Sequence, residues 1–242
     1  ILTPFVSLLD KFLLFVVKDT GEDEQRVTKL ASLKMTLPNV IIDQTKIEVS
    51  SMVTMIDDVF LKLEESLKEK EKIAKYNEEI VAAEDKLDLY EKEIYDSNFS
   101  LLSKSLSKSL IEDTRMNLLT CDEYETIGDY QNRIANRLYM LYENSIELDE
   151  TRAKMTFKLH SLTVELFNDI SRAARTGEKE LYSAGIKKYQ TLKTYYKEVK
   201  REHFFRSENI PARLNTGYLD IINYYKRIAD HIYNIIEYVM KI

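Results

Sequence analysis

Two carboxylate pairs carry the chemistry this sequence offers: Glu125 and Asp129, in the run Glu125-Thr126-Ile127-Gly128-Asp129, and Glu84 with Asp88. Residues four apart share one face of an α-helix, so each pair aims its two carboxylates at one point. Asp122 and Asn132 extend the stripe around Glu125 and Asp129, on the side away from Ile127 and Ile134. If the two helices pack side by side, four oxygen donors converge, a set that a hard or borderline cation neutralises. On a solvated helix, like charges at this spacing cost only roughly 0.2–0.5 kcal/mol, so the pairs alone do not require a metal.

Other chemistries are poorly provided for. A di-iron carboxylate centre wants Glu-x-x-His pairs, and none of His160, His203 and His231 has a glutamate three residues before it. The single cysteine, Cys121, excludes an intrachain disulfide and cysteine-based zinc motifs, and reads as an interior or helix-face residue rather than a nucleophile. The sequence has no glycine-rich phosphate loop, no dinucleotide fingerprint and no HExxH. His231, next to Asp230, reads as a structural hydrogen-bonding residue. The chain is therefore expected not to be an enzyme. A net charge of −6 opposes a polyanionic partner, which argues against nucleic acid. The basic stretch Lys187 to Arg206 interleaves lysines with Tyr189, Tyr195 and Tyr196, and reads as a solvated face beside core tyrosines.

The elements that must position these residues are helices. Five glycines and three prolines in 242 residues are too few for a many-stranded sheet, and 44% apolar residues are ample for a core. Val49, Met52, Val53, Ile56, Val59, Phe60, Leu63 and Leu67 fall at the 3.6-residue period of one buried helix face. Ile73, Tyr76, Ile80, Ala83, Leu87, Tyr90 and Ile94 form a three-four seam suited to antiparallel bundle packing. Ser100 to Leu110 should fray or bend, and a third helix follows through Leu118, Ile127, Ile134, Leu138 and Leu141. Three more are expected over about 151–176, 178–205 after Gly177, and 211–241 opening at Pro211. Gly128, inside a helix, predicts close approach of a neighbour.

Before these, residues 1–17 are apolar at helical spacing, with Asp10 and Lys11 interrupting them. This predicts a short amphipathic helix rather than a bilayer span or a signal peptide. A polar connector follows to about residue 37. Because the sequence begins at Ile1, further natural sequence is expected before it.

The two halves match one another. At an offset of 101, Leu118 meets Leu219, Tyr124 meets Tyr225, Ile127 meets Ile228, Asp129 meets Asp230 and Ile134 meets Ile235. At 105, Leu87 meets Leu192, Tyr90 meets Tyr195, Lys92 meets Lys197 and Glu93 meets Glu198. This is the trace that a duplicated three-helix unit leaves. The expected organisation is all-α: two tandem antiparallel three-helix bundles, 38–147 and 148–242, preceded by the apolar helix and connector of 1–37. In the second copy Glu125 corresponds to Lys226, Asp88 to Lys193 and Glu84 to Tyr189.

Glu125-Thr-Ile-Gly-Asp129, and the run Lys226-Arg-Ile-Ala-Asp230-His231-Ile-Tyr-Asn234-Ile235, resemble the paired signatures of PhoU-like domains. Glu84-Asp85-Lys-Leu-Asp88 is similar to the acidic signature of that family's middle helix. The resemblance implies two three-helix bundles related by duplication. It also implies multinuclear iron or zinc clusters, carried here onto Glu84, Asp88, Glu125 and Asp129. Lys226 and Lys193 cannot ligate while protonated, and Arg133 stands where the first signature usually has asparagine. The expectation is thus at most one metal site, iron or zinc, confined to the first repeat, with a metal-free domain as the alternative.

The run from Leu37-Pro38 through Gln44 and Glu48 to Met52 is similar to the lead-in of the PhoU-like tail of bacterial sodium/phosphate cotransporters. That resemblance implies a non-enzymatic regulatory domain on the cytoplasmic side of the bacterial inner membrane. Its partners would be the membrane portion of the same transporter or phosphate-signalling proteins, and a homodimer is compatible with it. The alternative is a stand-alone adaptor that binds a sensor kinase or a transporter ATPase. A metal-dependent enzyme ranks last.

Overall fold

The computed structural model describes residues 27–30, 37–102, 106–208 and 210–240. The apolar helix expected over 1–17 lies outside the described residues, as does most of the connector. Six long helices follow one another: α1 (Pro38–Lys68), α2 (Ile73–Leu102), α3 (Lys108–Glu143), α4 (Glu150–Thr176), α5 (Lys179–Phe205) and α6 (Ala212–Met240). A single 3₁₀ turn, Lys70–Lys72, joins α1 to α2. No strand occurs among the described residues.

Local chemistry sets the boundaries. Pro38 opens α1 at a first-turn position where its missing N–H is no loss. The Ser107 hydroxyl accepts from Leu110 N at the start of α3, and Asp149 accepts from Arg152 N at 2.9 Å at the start of α4. Gly177 ends α4 at φ 74°, a left-handed conformation that glycine adopts without a Cβ clash.

The periodic apolar residues converge on one hydrophobic cluster to which all six helices contribute. Met52, Ile56 and Leu63 of α1 are wholly buried, as are Ile94 of α2 and Ile127 and Ile134 of α3. So are Leu159 and Leu166 of α4, Leu192 and Val199 of α5, and Tyr218, Tyr225 and Ile228 of α6. The most extensive pairing runs between α3 and α6, one helix from each half, so these two form the spine of the molecule. They are antiparallel: Leu141 near the end of α3 meets Gly217 near the start of α6, and Glu123 meets His231 farther along.

Gly128 fulfils its prediction. A Cβ there would overlap Leu87 Cδ1, so the glycine lets α2 and α3 approach as they do. This approach brings the two acidic faces together. The segment 27–30 is fastened to the first bundle by carboxylates: Glu93 accepts the N–H groups of Val27 and Thr28 at 2.8 Å, Glu48 accepts Lys29 N at 3.1 Å, and Leu30 enters the core.

Candidate functional site

The four sequence-predicted carboxylates lie along the α2–α3 seam. Glu84, Asp88 and Glu91 stand on α2; Asp122, Glu125 and Asp129 stand on α3. Glu125 is half-buried, and its carboxyl is pushed up to about 7. Burial is the largest cause, followed by the negative charge of Glu91 and then of Asp88 and Asp129, with a hydrogen bond from Thr126 opposing. Glu84 is raised by burial and by Asp88, partly offset by a hydrogen bond with Asn132. Asp88 is raised by burial, Asp85 and Asp129; Glu91 is raised by burial, Asp122 and Asp88. The seam is thus a run of carboxylates in mutual repulsion.

Within this seam Asp129 has its own counter-ion. Arg133 Nε reaches its Oδ1 at 2.9 Å and the guanidinium reaches Oδ2 at 2.7 Å, one turn along the same helix. The departure at position 133 therefore has a structural consequence, because one of the four expected donors already holds a bidentate cation. Among the described residues no three His, Cys, Asp or Glu side chains are grouped so that they could hold one metal ion. The donors are all oxygens, the chemistry of hard cations, but they form no preassembled multinuclear site.

The second repeat builds the same place differently. Tyr189, Lys226 and Asp230, the counterparts of Glu84, Glu125 and Asp129, do meet in space. Tyr189 Oη donates to Asp230 Oδ1 at 2.9 Å, and Lys226 Nζ reaches Asp230 Oδ2 at 2.5 Å. Tyr233, the counterpart of Asn132, stacks on Tyr189 at 4.4 Å between centroids, and Lys193 Nζ lies 5.6 Å from the Tyr189 ring. The offsets of 101 and 105 therefore align three-dimensional positions as well as letters. Where the first repeat accumulates negative charge, the second carries one carboxylate with an ammonium and a phenol already upon it.

A further acidic residue escaped the sequence reading. Glu123 is 4% exposed, on α3, and takes donors from three residues of α6. His231 Nδ1 lies 2.7 Å from Oε2, Asn234 Nδ2 reaches both oxygens at 3.1 Å, and Tyr238 Oη donates to Oε1 at 2.6 Å. Under the 101 offset, Glu123 maps to Tyr224 and His231 to Tyr130, and those two rings pack at 5.8 Å. The two contacts are mates across the pseudo-twofold that relates the repeats, one polar and one aromatic. Glu123 could have been found from its position four residues before Ile127, on the core side of α3, and Glu91 from its heptad spacing to Glu84.

The remaining candidate groups serve the fold. Cys121 Sγ is buried 3.7 Å from Met52 Sδ, and burial pushes its thiol far up, which leaves little thiolate for chemistry. His160 is buried against Tyr225 Oη at 3.0 Å, and burial lowers it to about 4, so it is neutral. His203 joins Arg152 Nε at 3.2 Å to Asn215 Oδ1 at 2.7 Å. A cleft of about 600 Å³ beside the α3–α4 connection is lined by Ser66, Lys68, Lys70, Tyr142 and Glu147 and contains none of the seam carboxylates. Among the described residues no helix is long and apolar enough to cross a membrane.

Comparison with known proteins agrees with this architecture. A family model described as the PhoU domain matches residues 49–138 and 157–239, one match for each repeat. No curated protein matches the chain. Among solved structures, the chain resembles the phosphate transport system regulatory protein PhoU from Streptococcus pneumoniae, with a TM-score of 0.73 at 19% identity, covering 84% of this chain and 95% of that one. It also resembles PhoU from Pseudomonas aeruginosa, with a TM-score of 0.75 at 16% identity, covering 84% and 96% respectively. At such identities the likeness is one of fold.

Proposed function

The chain belongs to the PhoU domain family, and from that premise we propose that it is a non-enzymatic regulatory protein of phosphate transport. It acts by presenting helix faces to phosphate-signalling proteins on the cytoplasmic side of the membrane. The observation that carries this reading is the two-bundle body itself, whose family match spans both repeats and whose histidines and cysteine are engaged in packing and tertiary hydrogen bonds. The acidic α2–α3 seam of the first repeat differs in charge from its counterpart in the second repeat, and it is the face we assign to recognition.

Two settings fit such a protein: an adaptor on its own, or the tail of a sodium/phosphate cotransporter. The solved PhoU chains are 95% and 96% covered by this fold, so those proteins consist of little beyond the two bundles, which favours the adaptor. The reading frame upstream of Ile1 separates the two, because apolar spans encoded there favour the transporter tail. Removing residues 38–242 from the native gene should alter how phosphate uptake responds to phosphate supply. Unchanged uptake in both phosphate-rich and phosphate-poor growth would contradict the regulatory reading.

The metal expectation is carried forward in a narrow form. As they lie, the seam residues do not fit the multinuclear iron or zinc cluster that the family resemblance implies. No three of these carboxylates are grouped on one ion either, so their oxygen donors and mutual repulsion favour at most a loosely held hard cation along the seam beside Glu125. Calorimetric titration with manganese(II) tests this. One site lost in E125Q and untouched by D230N supports it; two sites, or one indifferent to Glu125, contradicts it.

A further inference from the structure

The last turns of α5 carry Lys197, Lys200, Arg201, Phe204 and Phe205 around one surface hollow. Phe204 and Phe205 are 55% and 78% exposed, large aromatic faces for a surface position. Among the described residues no carboxylate pairs with Lys197, Lys200 or Arg201; Lys200 lies 5.9 Å from the Tyr196 ring, and the neighbouring Arg206 is the cation that Glu202 neutralises. In a chain of net charge −6, this tip is a local cationic spot with an apolar point.

Its geometry is layered. Lys200 and Arg201 each precede a phenylalanine by four residues, so each cation sits one turn back on the same face. At 1.5 Å per residue the cations stand about 6 Å behind the rings along the axis. That is close to the depth between the acyl boundary of a bilayer and its headgroup phosphates, where amphipathic segments bury aromatics and hold cations shallower. We propose that the C-terminal tip of α5 docks on an anionic lipid surface, with Phe204 and Phe205 entering the acyl boundary and Lys197, Lys200 and Arg201 on lipid phosphates. A single-stranded nucleic acid would engage the cations and stack a base on Phe205, but the net charge of −6 opposes a polyanion.

The first repeat supplies an internal comparison. At the 105 offset Phe204 corresponds to Phe99, which is 72% exposed, while Lys200 corresponds to Tyr95 and Arg201 to Asp96. Phe99 persists there with Lys92, the counterpart of Lys197, but with Tyr95, Asp96 and Ser100 in place of Lys200, Arg201 and Phe205, so that tip lacks two of the three cations and one of the two rings. The proposal is independent of the regulatory reading, since it rests on α5 alone.

The test is sedimentation of the full chain with vesicles of phosphatidylcholine containing about one third phosphatidylglycerol, and with phosphatidylcholine alone. The wild type should bind the anionic vesicles, more weakly as salt rises. F204S/F205S should lower the partition by about tenfold or more, and K200A and R201A by about fivefold each, while F99S leaves it unchanged. Arg201, Phe204, Phe205 and Phe99 are exposed and Lys200 is partly buried, and an unchanged helical melt confirms that each variant folds. Four results overturn the proposal: no wild-type binding to anionic vesicles, F204S/F205S binding like wild type, F99S losing as much as F204S/F205S, or tighter retention on a single-stranded oligonucleotide than on vesicles with the same loss in K200A and R201A.

Discussion

Replacing Glu123 should be the most damaging polar substitution in the α3–α6 spine. Its carboxylate is 4% exposed and accepts from His231, Asn234 and Tyr238, all from the opposite repeat. Glu123→Ala leaves three part-buried donors without their shared acceptor. Breaking a buried hydrogen-bonded charge in this way costs about 3–5 kcal/mol, and for a chain of this length each kcal/mol is worth about 2–4 °C in Tm. The expected fall is therefore about 10 °C. Glu123→Gln keeps the volume but turns one acceptor into a donor against the same three donors, and should cost about 2 kcal/mol. Urea unfolding measures both, with Asp122→Asn, on the exposed side of the same turn, as the control within about 0.5 kcal/mol. A cycle combining Glu123→Gln with His231→Ala should show coupling of about 1–2 kcal/mol. A loss below about 1 kcal/mol for Glu123→Ala would refute the view that this junction holds the repeats together.

Three further substitutions probe the seam and its counterpart. The Glu125 carboxyl is raised in the fold from 4.5 to about 7, so its contribution to stability is fully present below about pH 4.5 and is lost as pH rises through about 7. Glu125→Gln should thus match wild type near pH 4.5 and exceed it by about 1–2 kcal/mol near pH 8, a value reduced for the side chain's partial solvation; urea midpoints at the two pH values check this. Gly128→Ala forces a methyl against Leu87 Cδ1 and should cost about 1 kcal/mol net, overpacking outweighing the gain in helix propensity; combined with Leu87→Ala, which leaves room for that methyl, the total should be smaller than the sum. Lys226→Met removes the ammonium from Asp230, leaving only the Tyr189 phenol, and should cost about 1 kcal/mol by thermal melting, with Tyr189→Phe non-additive to it.

The six helices were legible because apolar periodicity is a local signal, and the break near Ser100–Leu110 and the stop at Gly177 are written in turn and cap residues. The duplication was legible too, as the pairing of Glu84 with Tyr189, Glu125 with Lys226 and Asp129 with Asp230, and the structure brings Tyr189, Lys226 and Asp230 together. What periodicity does not encode is which helix faces meet across the repeats. Glu123 looked like one acid in an acidic run, and only the antiparallel α3–α6 contact buries it beneath His231, Asn234 and Tyr238. The pairing of Arg133 with Asp129 is likewise local in sequence, four residues apart, yet its effect on the seam shows only once α2 brings Glu84 and Asp88 alongside. Glu93 stands out in the sequence only as the repeat mate of Glu198, and Glu48 only within the run from Leu37 to Met52; that both fasten the segment 27–30 is a tertiary fact.

The central claim is that the repeats share one architecture but unlike electrostatics: a carboxylate-rich seam in the first, where Arg133 offsets only Asp129 and Glu125 sits among Glu91 and Asp88, and a self-neutralised carboxylate in the second. Carbon-detected NMR titration of the Glu125 side-chain carboxyl, without added divalent metal, tests it most directly. A midpoint near 7, falling when Glu91 is replaced by Gln, is the result this account predicts. A midpoint near the ordinary glutamate value of 4.5, indifferent to Glu91, would contradict it.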